Sequence, residues 1–134
     1  MKKGIYRYSY LVLIISCSSF AFYIYNMGKN TVQLPQLKGR NAELSLAADW
    51  PIVQKTTAQL LTEIMKKPGQ NKLYLALAKE YLQEGRVSGN FSYYNEACLE
   101  LINHVLTIEP KNLDALCLKG TVLLSQHRFE ECKQ

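Results

Sequence analysis

The chain is poor in the residues that do chemistry. It has two histidines, four cysteines and one tryptophan, and no Cys-x-x-Cys pair, haem-attachment spacing or zinc-finger spacing. No Gly-rich phosphate loop, no Gly-x-Ser-x-Gly and no pair of catalytic carboxylates can be assembled, so enzymatic activity is not expected. No run alternates between apolar and polar residues with a period of two, which excludes strands from the expected fold. A basic face is also missing. The formal charge is +5, but Lys2, Lys3 and Arg7 supply three of those charges, leaving a surplus of two from Gly28 onward, too little for a nucleic-acid partner. Charged residues at 20% and apolar residues at 48% exclude a disordered or collagen-like chain.

What the sequence does have begins with a charge-free run of 20 residues, Tyr8 to Met27. At 1.5 Å per residue a helix of that length measures about 30 Å, the thickness of a bilayer's hydrocarbon core. Tyr8 and Tyr10 stand near one end and Tyr23 and Tyr25 near the other, where amphipathic rings favour the headgroups. The spacing predicts a transmembrane helix over 8–27 behind a cytoplasmic tail, 1–7. Three basic residues precede it and only Lys29 follows closely, which places the C-terminal body outside the cytoplasm. Two alternatives stay open. Ile14-Ile15-Ser16-Cys17 resembles a lipobox, which would make Cys17 an acylated first residue, and a cleaved secretory signal is the other.

Residues 28–49 carry Pro35 and Gly39 without periodicity and read as a linker, a tether between membrane and body. Helical signals follow. Asp49 is placed to cap a helix from Trp50-Pro51, which Pro68-Gly69 stops. A second helix is predicted from Asn71 to about Glu84, ended by Gly85, with Arg86 to Ser92 as a loop. A third runs from about Tyr93 to Ile108, and Asn112 is placed to cap a fourth, from Leu113 to about Gln126. A fifth starts near Arg128. The expected fold is all-α: an N-terminal transmembrane helix, then a short α-helical solenoid of antiparallel helix pairs over 50–134.

The helix pairs repeat. At an offset of 42, Pro68 falls on Pro110, Tyr74 on Leu116, Ala78 on Gly120 and Tyr81 on Leu123; at 34, Cys98 falls on Cys132. Eight extra residues between the helices of the first unit, at the Gly89-Asn90 loop, reconcile the two. Tyr74, Leu77, Ala78 and Tyr81, with Cys98 or Ala97 as the small residue of the following helix and Pro110 closing the unit, resemble the tetratricopeptide repeat (TPR). Lys119 and His127 depart from its pattern, standing where Leu and Gly are usual. The resemblance covers Trp50 to Gln134, about two and a half units, and the terminal helix is too short to cover its neighbour, so a truncated chain is inferred.

The resemblance implies a protein or peptide partner in the groove of the solenoid, lined by Lys72, Leu75, Lys79 and Gln83 and then by Asp114, Cys117, Thr121 and Ser125. It implies no cofactor, and the lipid bilayer as a second partner through residues 8–27. More narrowly, the chain resembles bacterial membrane-anchored TPR proteins of the inner membrane, some of which assist cytochrome c maturation. The rival class is a metal-binding or enzymatic protein using Cys98, Cys132 and His127. Packing cysteines are favoured over a disulfide, although a Cys98–Cys132 bridge stays open.

Overall fold

A computed structural model describes residues 14–21 and 34–128. The chain divides into two units, Met1–Gln33 and Leu34–Gln134. In the first, residues 14–21 are helical, with Ile14, Ile15 and Phe20 exposed. No helix among the described residues is long and apolar enough to cross a membrane. The remainder of the expected span, 8–13 and 22–27, lies outside the described residues, as do the tail 1–7 and residues 129–134, which include Cys132.

The second unit is helical throughout its regular structure. α1 is Trp50–Lys66, α2 Asn71–Ser88, α3 Phe91–Ile108 and α4 Leu113–Ser125, preceded by a 3-10 turn at Leu44–Leu46. Pro51 stands in the first turn of α1, where its missing N–H has no partner to lose. The expected Asp49 cap does not form, because both oxygens of that carboxylate are taken by Arg40. At α4 the expectation is met: Asn112 Oδ1 accepts the Ala115 N–H at 3.0 Å.

The end of α2 differs from the sequence reading. Gly85 does not terminate it; the helix runs a further turn to Ser88 and stops at Gly89, whose φ of 71° is the left-handed C-cap conformation. With α3 already begun at Phe91, the expected loop Arg86–Ser92 shrinks to Gly89-Asn90. Residues 86–88 and 91–92 therefore lengthen the two helices. Gly85 serves packing instead, since a Cβ there would lie 3.1 Å from Tyr94 Cβ.

Consecutive helices pack as neighbours, and α2, the most enclosed, touches α1, α3 and α4. The antiparallel α2–α3 seam can be followed level by level. The Tyr74 and His104 rings lie 4.5 Å apart, Cys98 Sγ donates to Ala78 O at 3.1 Å, and Tyr81 meets Tyr94 at 5.6 Å. Ala97 and Cys98 are both buried, but Cys98 is the one seated on Ala78. Small side chains at that crossing let the helices approach. Leu77, Leu101, Ile102 and Val105 fill the seam with no exposed area; each such burial contributes about 1.5–3 kcal/mol.

Residues 34–41, expected as a free tether, form a strap packed on α2 and α3. Tyr81 and Tyr93 hydroxyls donate to the Pro35 and Gln36 carbonyls. Tyr94 Oη accepts the Lys38 N–H at 3.1 Å and donates to Lys38 O. Arg40 then closes the strap onto Glu84 of α2 with two bonds of 2.8 Å. A segment without periodicity reads as a tether because it offers no apolar face to pack; tyrosine hydroxyls of α2 and α3 supply polar partners instead.

Candidate functional site

The four residues expected on α2 divide by exposure. Lys72, Lys79 and Gln83 recur at spacings of seven and four, which returns them to one side of a helix, and all three are exposed. Leu75 is a correction. It is 5% exposed and belongs to the core, on the same side as Leu82 seven residues on. α2 is packed by three helices, so its buried arc is wider than that of a helix covered on one side, and Leu75 falls within its edge.

On α4, Asp114, Cys117, Thr121 and Ser125 are all exposed, along the edge of the buried face made by Ala115, Leu118 and Val122. Thr121 Oγ1 donates to Cys117 O and Ser125 Oγ to Val122 O, so both hydroxyls are turned back on their own helix. Asp114 stands in the first turn, where a negative charge is favoured by the helix dipole. The two rows are on helices that touch each other.

A polar notch of about 340 Å³ borders Lys72, lined also by Gln70, Asn71, Glu109 and Asn112. Asn71 Nδ2 donates to Glu109 Oε1 at 2.8 Å and Asn112 Nδ2 to Oε2 at 2.6 Å. Those bonds, Asn112 first, hold the Glu109 carboxyl below its usual range. Asn71 Oδ1 is buried without a partner. Sequence reasoning missed this cluster. Its only signals in the sequence are Pro110 and Asn112, which the expected unit closure and helix cap already account for.

Cys98 is a free thiol, and burial pushes its pKa up to about 12, which suppresses the thiolate. Cys117 is free and exposed. His104 stacks on Tyr74 with Nε2 buried and unpartnered, and burial lowers its pKa. His127, where the repeat pattern expects Gly, adopts φ 58°. Among the described residues no group of three His, Cys, Asp or Glu could hold a metal ion. Neither a family model, nor a curated protein, nor a solved structure matches the chain.

Proposed function

We propose that this chain is a TPR-like scaffold that binds another protein, anchored in a bacterial inner membrane by residues 8–27 with its helical body outside the cytoplasm. The observation that carries the binding reading is the exposed row of Lys72, Lys79 and Gln83 along α2, the helix otherwise most enclosed by its neighbours. Asp114, Cys117, Thr121 and Ser125 on α4 extend that surface, and Leu75 is withdrawn from it. A mixed row with two ammonium groups suits a peptide bearing a carboxylate, with the Asn71–Glu109–Asn112 notch as a polar stop beside Lys72. The anchor rests on the length and flanking charges of the apolar run.

Site-directed photocrosslinking in cells tests the binding surface. A photoreactive residue at Gln83 or Thr121 is expected to capture one discrete protein, and Lys79→Glu to remove that adduct. Equal capture from Gln59, on α1, would count against the groove. Alkaline extraction of membranes tests the anchor separately, because an anchored chain stays in the pellet.

A further inference from the structure

The strap is bound in a manner that another polypeptide could reproduce. Its hydrogen bonds to Tyr81, Tyr93 and Tyr94 are all made by main-chain atoms, the carbonyls of Pro35, Gln36 and Lys38 and the N–H of Lys38. Such contacts demand a non-helical backbone and no particular side chain. Side-chain selection enters at two places. Lys38 Nζ sits 3.8 Å from the centroid of the Tyr93 ring, and Arg40 engages Glu84 through both carboxylate oxygens. The Arg40 guanidinium also lies over the Trp50 ring at 4.8 Å.

Glu84 is the telling residue. It stands on α2 with its side chain 1% exposed, and its cationic partner comes from the strap, not from the helices. The helical body therefore presents a buried anion and three aromatic hydroxyls whose hydrogen-bond partners lie on a short segment outside the bundle. An apolar closure at this position would serve stability as well or better, because desolvating two charges offsets much of their attraction. A bidentate carboxylate instead discriminates for a guanidinium.

The geometry points to a second binding site, at Tyr81, Tyr93, Tyr94 and Glu84, for a non-helical basic peptide of a partner protein that places an arginine four residues after the carbonyl bound by Tyr93. Residues 35–40 occupy that site in cis. The partner's segment competes with them, so its apparent affinity is set by the fraction of time the strap is released. This site lies apart from the Lys72–Lys79–Gln83 row and does not depend on the reading of that row.

The test uses the full chain and a fluorescein-labelled peptide with the sequence of residues 34–41, read by anisotropy. Arg40→Ala is expected to bind the peptide at least tenfold more tightly than the parent chain. The same peptide with alanine in place of its arginine is expected to bind that variant at least tenfold more weakly, and adding Glu84→Gln to remove the difference between the two peptides. Binding that ignores the arginine, or no binding to the folded variant, overturns the proposal. Should Arg40→Ala lose the helical circular dichroism of the parent, Lys38→Pro, which deletes the strap's N–H bond to Tyr94, is titrated instead. It too is expected to take up the arginine peptide more tightly than the parent, and equal or absent binding overturns the proposal.

Discussion

Arg40 and Glu84, 44 positions apart in the sequence, meet as a bidentate ion pair in which each side chain is 1% exposed. Asp49 takes the remaining face of the guanidinium at 2.9 Å with its own side chain 53% exposed. Hydrogen bonds to these carboxylates raise the Arg40 pKa still further, so the cation persists at any accessible pH. The pair fixes where the strap ends and where α1 begins.

Removing one partner strands the other. Arg40→Ala is expected to lower stability by about 3 kcal/mol, the cost of leaving Glu84 buried and uncompensated, as read by urea denaturation. Arg40→Met combined with Glu84→Leu is expected to recover most of that loss. Asp49→Ala is expected to cost far less than Arg40→Ala, because the Asp49 carboxylate faces solvent.

Gly85 and Gly89 are required for different reasons, and substitution separates them. Gly85→Ala is expected to cost about 1 kcal/mol net, since the clash with the backbone-anchored Tyr94 Cβ outweighs the gain in helix propensity. Gly89→Ala is expected to cost about 1 kcal/mol through its positive φ, and Gly89→Asn about half as much, because Asn tolerates that region. Thermal unfolding of the three variants checks this ordering.

The His104 pKa is held below its ordinary 6.5 by burial. The unfolded chain therefore takes up a proton first as pH falls. This contribution to stability is complete above about pH 7 and is lost through 6.5 down to the folded value. His104→Phe keeps a ring against Tyr74 and removes the titration. Its stability is expected to stay within about 1 kcal/mol of the parent at pH 7.5, and the pH 7-to-5 slope due to this residue to vanish in denaturation curves.

Thiol mapping by mass spectrometry is expected to find Cys117 alkylated in the native protein and Cys98 alkylated only after unfolding. Cys98 is fully buried, donates to Ala78 O and has its pKa pushed up, whereas Cys117 faces solvent. Modification of Cys98 at the native rate would contradict the α2–α3 seam.

Much of the helical frame was legible because its signals are local. Pro68-Gly69, Asn112 and the apolar spacing of Tyr74, Leu77, Ala78 and Tyr81 each act within a turn or two of helix. The end of α2 was misread because two glycines four residues apart compete as caps. The choice of Gly89 over Gly85 depends on Tyr94 closing in from another helix. Leu75 was placed in the groove by the repeat resemblance, which does not carry the width of the face that three neighbouring helices cover.

From the sequence alone came the all-α class and the four helices of the body in their order, since periodicity, caps and short connections are carried by neighbouring residues. Tertiary structure decided the fate of residues 34–41 and of Glu84. A segment without periodicity carries no local instruction to pack. Its place is set by tyrosine hydroxyls and one carboxylate some 44 to 57 positions away, which become neighbours once α2 and α3 have folded together.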